Sequence, residues 1–500
     1  MKKIWILCIT ALSLLMGGCS FENMMSDDLW MTVQTQNTAQ TSEYAYQDVS
    51  ELQVAVGEST LNPYQMTTDT SLRIVPLLYD SLTKLNLYYG YDLCIASSVE
   101  MQGTSCVVTL RKDVLFSDGT ALTAVDIQYS YRQAISGETA YAAQLSNVTG
   151  VGILSDDQIR FTLAEADVLF PNLLTFPIIK NGSASNPVGS GRYHLAGENL
   201  LEPNPHWYGG DTGKIKAIQL VEQPDRETSF YSMKTGSLDY LFVDGDETIA
   251  ETGGSIHYVS MPNLIYIGIN DSRTLLSDVR FRQMLAASTD RDGLLETAYY
   301  DRAQETAVPF PASWEQLAPL TVESDQDFEQ VQSLLAQLGL DNRDDEGYII
   351  MGTRRVSVDI LVNNENEAKM QIAETLREML RSVGLDVTVT GVPFAEYQTR
   401  VTERQYDLYI GEVKLKNNLD LTSLFTVLTQ QTAEENLRVL EAYRQWRQGT
   451  ATLQSFLELF QTSVPLIPVG TRNGAIYYNR EIYYDLSATV QDVFYNIQDW

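Results

Sequence analysis

The residue types that most often catalyse reactions or bind metals are sparse in this sequence. Its three histidines are His194, His206 and His257. They lack the spacing of a metal site or of a His-Glu-x-x-His helix, and no Gly-x-Ser-x-Gly elbow or Walker-type phosphate loop occurs. The adjacent acids at 156–157 and 344–345 are better explained as solvated turns than as catalytic pairs. The sequence therefore points away from an enzyme, and we expect no metal and no cofactor.

One class of enzyme stays open as an alternative. A secreted hydrolase such as a glycosidase uses two carboxylates that can lie far apart in sequence. Nucleic acid is disfavoured as a partner, because the chain has 65 acidic against 34 basic residues and a formal net charge of −31. Such a charge repels phosphate backbones and anionic headgroups.

The first twenty residues predict export and a lipid anchor. A pair of lysines precedes the apolar stretch 4–16, which is too short to span a membrane and is typical of a secretory signal. Residues 15–19 (LMGGC) resemble a bacterial lipobox, although the usual leucine stands one residue early. We expect a signal peptide at 1–18, lipidation of Cys19 and a flexible tether at 19–48. Cleavage at another small residue, giving a soluble secreted protein, is the alternative.

Two further cysteines lie in the body of the chain. Cys94 and Cys106 flank a predicted hairpin, and an exported protein is outside the reducing cytosol. A disulfide between them and two ordinary buried thiols are both compatible with the sequence.

The clearest architecture lies late in the chain, where strands and helices alternate. Apolar runs and apolar stripes at helical spacing predict strand 356–362, helix 365–383, strand 385–389, helix 394–404 and strand 407–410. This alternation predicts a largely parallel sheet. Because ligands of such sheets bind beyond the carboxyl ends of the strands, we expect Asn363 and the loop 411–414 near a cleft.

The earlier part predicts a different construction. Residues 52–56 alternate as a strand should, and strand-like runs at 107–110, 159–163 and 215–221 are separated by turns with glycine and aspartate. These features predict antiparallel pairs. The whole is therefore expected to be an α/β fold of mixed α+β type, with two lobes of unlike construction.

The segment 108–127 (VTLRKDVLFSDGTALTAVDI) has the most distinctive pattern: a strand, an Asp-Gly turn and a helix that Thr123 can cap. Similar patterns elsewhere are 61–63 (LNP), 77–82 (LLYDSL), 187–193 (PVGSGRY), 204–210 (NPHWYGG), 234–239 (KTGSLD) and 278–283 (DVRFRQ). In content and order they resemble the signature segments of the family 5 extracellular solute-binding proteins, the oligopeptide, dipeptide and nickel binders of ABC importers. We interpret most of them as turns, caps and helix faces rather than ligand contacts.

The resemblance implies a periplasmic-binding-protein-like type II fold with two hinged lobes. One lobe would comprise 49–260, with an inserted subdomain at about 76–184, and the C-terminal return 470–500. The other would comprise 261–469. A monomer of this kind would capture a small solute, by family default a peptide, between the lobes and deliver it to the permease of an ABC importer. A ligand sensor or chaperone that uses the same fold is a further alternative.

The residues that contact the ligand in the peptide binders of this family are harder to assign in this sequence. In the peptide binders of the family, a Gly-Trp segment is followed by an acid that pairs with the amino terminus of the peptide. The matching stretch 411–420 (GEVKLKNNLD) has Glu412 at the tryptophan position and its next acid out of register. From polar groups at predicted strand ends, we expect the pocket to be lined by Glu58, Thr60, Asn270, Asn363, Glu412 and Lys414.

Overall fold

The computed structural model describes residues 50–245, 254–300, 302–320, 322, 326–428, 434–479 and 486–500. The predicted signal peptide, Cys19 and the predicted tether 19–48 lie outside these ranges. Within them, no helix combines the length and the apolar composition that a membrane crossing needs.

Most strands belong to one large sheet. The strands, in chain order, are β1 (Glu51–Val56), β2 (Thr83–Leu85), β3 (Tyr91–Leu93), β4 (Ala96–Gln102), β5 (Ser105–Leu110), β6 (Val148–Ser155), β7 (Gln158–Leu163), β8 (Tyr193–Gly197), β9 (Leu200–Pro203), β10 (Ala217–Glu222), β11 (Tyr240–Val243), β12 (Ser255–Ile269), β13 (Ala303–Glu305), β14 (Ile350–Met351), β15 (Arg354–Arg355), β16 (Ser357–Asn363), β17 (Asp386–Val392), β18 (Leu408–Lys414) and β19 (Leu466–Tyr478). The large sheet has the order β17-β16-β18-β12-β19-β11-β1-β10-β9-β8, and β13 also pairs with β19. The remaining strands form an antiparallel sheet, β4-β5-β7-β6, and the hairpins β2-β3 and β14-β15.

Helices lie between these strands and are concentrated in the second half of the chain. In chain order they are α1 (Asp69–Leu72), α2 (Val75–Leu78), α3 (Ala124–Ala134), α4 (Arg226–Thr235), α5 (Val279–Ala287), α6 (Arg291–Tyr299), α7 (Phe328–Leu338), α8 (Glu367–Ser382), α9 (Phe394–Thr402), α10 (Thr422–Leu428), α11 (Glu434–Arg447) and α12 (Leu453–Ser463).

The long strands β12 and β19 connect the two halves of the large sheet. They run antiparallel, and their register shifts between Ser260 and Leu264. On one side β19 pairs with β11, which leads through β1 to β10; on the other side β12 pairs with β18, which leads through β16 to β17. We name the first half lobe I, residues 50–260 and 470–500, and the second half lobe II, residues 261–469.

Lobe II contains the strand and helix alternation that the sequence predicts. Strands β17, β16 and β18 are parallel, and α8 and α9 connect them. Asn366 caps α8 by accepting a hydrogen bond from the backbone N of Lys369 at 2.9 Å. Gly384, at φ +100°, turns the chain from α8 into β17. The parallel strands therefore end at one edge, which carries Asn363 and Lys414.

The inserted sheet of lobe I is antiparallel, in line with the predicted strands at 107–110 and 159–163. The helix α3 packs beside it and begins with a capping box in which Asp126 accepts from the backbone N of Thr123 at 2.8 Å. Phe161 packs against Phe170 and Phe176 at ring-centroid distances of 6.0 and 6.4 Å. These rings belong to the hydrophobic core that also contains β1 and β10, so the insert is part of lobe I.

The C-terminal segment 486–500 returns to lobe I. Phe494 and Trp500 pack on Tyr240 of β11 at ring-centroid distances of 4.8 and 5.2 Å. Arg192 donates hydrogen bonds to the carbonyls of Phe494 and Tyr495 at 3.0 and 3.1 Å. Residues 490–492 of this segment thereby form part of a cavity wall.

Candidate functional site

The carboxyl edges of the parallel strands in the two lobes meet beside the crossing strands. Asp244 follows β11 in lobe I, and Lys414 ends β18 in lobe II. Lys414 Nζ lies 2.8 Å from Asp244 Oδ2, and Arg472 Nη1 lies 3.0 Å from Asp244 Oδ1. Lys414 and Arg472 outweigh the effect of burial and lower the pKa of the Asp244 carboxyl. An ion pair therefore joins the lobes at the edge where a ligand is expected.

Glu412 lies in the same network and is fully engaged by the protein. Its carboxylate is 2.8 Å from Arg472 Nε and 2.9 Å from Lys369 Nζ, and it accepts from Asn263 Nδ2 at 2.8 Å. Burial alone would raise the pKa of Glu412, but the two cations outweigh it and hold the pKa at about 2. A carboxylate with three internal partners has little capacity left for the ammonium of a ligand.

A cavity of about 440 Å³ lies next to this network. Most of its wall comes from lobe I, namely α1, α2, the start of the insert, residues 207–208 and the C-terminal segment, while Lys414 and Asn417 of lobe II line the rest. Its charged lining residues are Asp69, Arg73, Asp80, Lys84, Arg192, Lys414 and Asp492. The volume lies in the range of small-molecule sites, about 300–1,000 Å³.

The cavity wall contains buried polar atoms that no protein group satisfies. They are Arg73 Nε, Asp80 Oδ2 and Trp207 Nε1. Burial raises the pKa of the Asp80 carboxyl to about 6, against the opposing effects of Arg192 and Lys84. Buried polar groups are nearly always hydrogen-bonded, so these three atoms mark a polar part of the wall whose hydrogen-bonding capacity the protein leaves unfilled.

A second set of contacts joins the lobes at one side of the cavity. We name Asp167 of the insert and Asn418 and Arg447 of lobe II the interlobe latch. Arg447 Nη2 lies 2.7 Å from Asp167 Oδ1, and both side chains are 9% exposed. Asn418 donates to Asp167 Oδ2 at 2.8 Å and accepts from Arg447 at its carbonyl at 2.7 Å. The latch thus holds the loop that carries Lys414 and Asn417 against lobe I.

Two of the predicted pocket residues come together at the edge between the lobes. Lys414 lines the cavity, and Glu412 contacts it indirectly through Arg472 and Asp244. Asn363 ends the neighbouring strand β16, where its side chain accepts from the backbone N of Glu365 at 3.1 Å. It is near this edge but is absent from the cavity wall.

Of the other three predicted residues, Glu58 and Thr60 stabilise the local fold next to β1. Glu58 accepts from the backbone N atoms of Thr67 and Thr68 at 2.7 and 3.0 Å, and Thr60 accepts from the backbone N of Asn62 at 3.3 Å. Both follow β1 at the carboxyl edge of lobe I, but neither lines the cavity.

Asn270 lies at the wrong end of the sheet for a pocket residue. Because β12 and β18 are antiparallel, Ile269 pairs with Leu408 while Asn263 pairs with Lys414. At about 3.3 Å per residue, Asn270 is therefore roughly 20 Å from the cavity edge. Its buried side chain bonds to the chain around Arg404 instead.

Sequence reasoning missed Asp80, Arg192 and Trp207 as cavity residues. Each lies in a segment, 77–82, 187–193 or 204–210, that we interpreted as structural. Their glycines and turns do serve the fold, since a Cβ on Gly191 would approach the Leu77 carbonyl oxygen to 2.5 Å. One signal in the sequence could have found them. Each segment contains a side chain with hydrogen-bonding atoms, Asp80, Arg192 or Trp207, that its turn does not require.

Cys94 and Cys106, for which the sequence allows a disulfide or two thiols, are buried free thiols. Cys94 lies in the cavity wall, where its Sγ is 3.1 Å from Tyr208 Oη, and burial raises its pKa to about 12. Among the described residues, no cluster of three or more histidine, cysteine or carboxylate ligands is placed to hold a metal ion.

Comparison with known sequences gives a match over most of the chain. Residues 74–434 match the family model described as bacterial extracellular solute-binding proteins, family 5 Middle. An oligopeptide-binding protein of Bacillus subtilis, AppA, is 24% identical over 391 residues, which is 71% of this chain and 71% of that protein.

Comparison with solved structures supports the same fold. The ABC transporter substrate-binding protein from Sinorhizobium meliloti superposes with a TM-score of 0.74 at 16% identity, covering 89% of this chain and 99% of that one. The periplasmic murein tripeptide binding protein MppA, in its unliganded open form, gives a TM-score of 0.72 at 15% identity and covers 87% and 94%. The two-lobed periplasmic-binding-protein fold expected from the sequence is confirmed.

Proposed function

The chain belongs to the bacterial extracellular solute-binding proteins of family 5, and we propose that it captures a short peptide between its lobes and delivers it to a membrane permease. Members of this family bind solutes for ABC importers and are not enzymes. One observation carries the proposal for this chain: residues of both lobes line the same cavity, so a bound molecule would contact both lobes at once. A ligand that contacts both lobes binds the closed form better and shifts the population toward it.

The chemistry of the cavity supports a peptide as the solute. Its wall offers side-chain donors and acceptors together with aromatic faces from Tyr79, Tyr141, Trp207 and Tyr208. A peptide supplies carbonyl acceptors, amide donors and apolar side chains in one molecule. The names of AppA and MppA, an oligopeptide-binding and a murein tripeptide binding protein, agree with this solute class.

A ligand screen tests the proposed function. We expect the melting temperature to rise with short peptides and to rise further with concentration, because the gain in stability follows ln(1 + [L]/Kd). The screen includes oligosaccharides, free amino acids and metal chelates, and the recovered ligand is checked by mass spectrometry. Absence of any stabilising peptide would contradict the peptide assignment, and cleavage of the ligand would favour the hydrolase alternative.

Transport itself needs a cellular measurement. Deletion of the gene should reduce uptake of the peptide found in the screen, and the wild-type gene should restore it. A sensor would bind the same peptide without changing its uptake, so unchanged uptake would contradict delivery to a permease.

We also propose that Cys19 carries the lipid that keeps the protein on the extracytoplasmic face of the membrane. The lipobox-like run 15–19 is the support for this assignment. Replacing Cys19 by alanine should move the protein from the membrane fraction to the medium or periplasm and abolish incorporation of labelled palmitate. Retention of the variant in the membrane fraction with unchanged labelling would contradict it.

A further inference from the structure

Most charged side chains of the cavity wall are already paired within the protein. Arg73 pairs with Asp69 at 2.8 Å, Arg192 lies 3.9 Å from Asp492, and Lys414 pairs with Asp244 at 2.8 Å. Such pairs neutralise each other and leave no net charge for a ligand to meet. The two remaining charged residues of the wall differ because they have no ion-pair partner within the described ranges of the chain.

Those residues are Asp80 and Lys84, which carry opposite charges. In the described part of the chain neither forms an ion pair, with each other or with another residue. Asp80 Oδ2 is buried without a hydrogen-bond partner, and the Lys84 ammonium lies 4.8 Å from the centroid of the Tyr495 ring. One unpaired anion and one unpaired cation in a single cavity match a molecule that carries both charges.

We infer that Asp80 binds the free amino terminus of a short peptide and that Lys84 faces its carboxylate. This inference rests on the proposed function and specifies how its site recognises the ligand. An ammonium at Asp80 supplies the counter-charge that this carboxylate lacks within ion-pair distance among the residues that the structure describes.

The state of Glu412 points to the same assignment. This carboxylate lies in the segment matched to the acid-bearing segment of peptide binders, but Lys369 and Arg472 neutralise it at 2.9 and 2.8 Å. An ammonium there would have to compete with two internal cations. Arg192 and Lys84 act on Asp80 only from beyond ion-pair distance, so we assign recognition of the amino terminus to this carboxylate of lobe I.

Peptides with blocked ends provide the direct test. Isothermal titration of the purified full-length protein would compare trialanine, N-acetyl-trialanine and trialanine amide. We expect acetylation to weaken binding by at least tenfold, because it removes the ammonium and leaves the Asp80 carboxylate unpaired. Amidation should weaken binding as well, by a smaller factor, because Lys84 is partly exposed and less dependent on the ligand for a partner.

Variants then assign each end of the peptide to its residue. In Asp80→Asn, the Kd values of N-acetyl-trialanine and trialanine should become nearly equal. In Lys84→Met, the Kd values of trialanine amide and trialanine should become nearly equal. The matched controls Asp113→Asn and Lys112→Met, at exposed positions of the insert, should keep the wild-type ratios. A melting temperature of Asp80→Asn at or above the wild-type value would show that the variant is folded. A loss of discrimination between free and acetylated peptide could then not be attributed to unfolding.

Several outcomes would overturn the inference while the proposed function stands. One is equal binding of trialanine and its acetylated form to the wild-type protein. Another is an acetylation penalty that persists in Asp80→Asn. A third is the absence of binding by all three probes when the ligand screen yields a longer peptide. Absence of every peptide ligand from that screen would instead remove the proposed peptide function.

Discussion

At the residue scale, two carboxylates within the same region have opposite environments. Glu412 is surrounded by Lys369, Arg472 and Asn263, which stabilise its charged form. Asp80 is buried with an oxygen that nothing satisfies, which favours its neutral form. The first arrangement stabilises the fold, and the second is costly in the free protein and becomes favourable with a cationic partner. Stability measurements can separate these two roles.

Replacing Glu412 by glutamine should destabilise the protein by about 3 kcal/mol at pH 7, because Lys369 and Arg472 lose a buried counter-charge. The contribution of Glu412 is present above its ordinary pKa of 4.5 and is lost as pH falls toward its folded pKa of about 2. Urea unfolding at several pH values should therefore show the two proteins converging as pH falls from 4.5 to 2. A variant as stable as the wild type at pH 7 would contradict the network.

Replacing Asp80 by asparagine should have the opposite effect on the free energy of unfolding. Burial raises the pKa of Asp80 to about 6 from an ordinary 3.8, despite Arg192 and Lys84 nearby and the polar groups of Cys94 and Tyr208. The folded state therefore binds this proton more tightly, and the charged form destabilises the protein above pH 6. We expect Asp80→Asn to stabilise the free protein by about 2 kcal/mol at pH 7, with the gain vanishing as pH falls from 6 to 3.8. Thermal unfolding across this range measures it, and a less stable variant would refute the assignment.

At the element scale, local pattern predicted the strands and helices well. The predicted helix 365–383 is observed at Glu367–Ser382, and the predicted strand 356–362 at Ser357–Asn363, because apolar periodicity is a local property. The direction of β12 is not local, since it depends on pairing with β18 across 140 residues of sequence. Asn270 was therefore assigned to the wrong edge, and the partners of Glu412, such as Arg472, could not be deduced from spacing along the chain.

Asn270 should contribute to stability and not to ligand binding. Its side chain is buried and bonds to the Arg404 and Tyr406 carbonyls at 3.0 and 2.8 Å. Asn270→Ala should lower the free energy of unfolding by about 2 kcal/mol, because these groups lose buried partners. Peptide affinity, measured by calorimetry, should stay at the wild-type value. Weaker binding by a folded Asn270→Ala protein, with the exposed control Asn364→Ala unchanged, would contradict the position assigned to it.

At the scale of the whole molecule, the lobes are joined by two kinds of contact. Strands β12 and β19 form a continuous covalent connection, while non-covalent contacts, among them the interlobe latch and the Asp244–Lys414 ion pair, also join the lobes. Only the second kind can break when the lobes separate. The latch should therefore favour the arrangement of this structure, in which both lobes line the cavity, and contribute to ligand affinity although it is not part of the cavity wall.

Arg447→Met tests this role of the latch. The variant removes the ionic partner of the buried Asp167 and leaves it only neutral donors such as Asn418, and separation of the lobes would relieve that cost by hydration. We expect a larger radius of gyration without ligand and peptide binding weakened by at least tenfold, because closing then costs part of the binding energy. Small-angle scattering and calorimetry measure the two effects. Arg438→Met, an exposed position on the same helix, is the control and should match the wild type.

In the proposed function, both lobes hold one solute at once, a claim that hydrogen–deuterium exchange with and without the best peptide from the screen can test. We predict that bound peptide slows exchange both in residues 69–85 of lobe I and in residues 411–420 of lobe II. Protection confined to one lobe, or protection only outside these two segments, would contradict the claim.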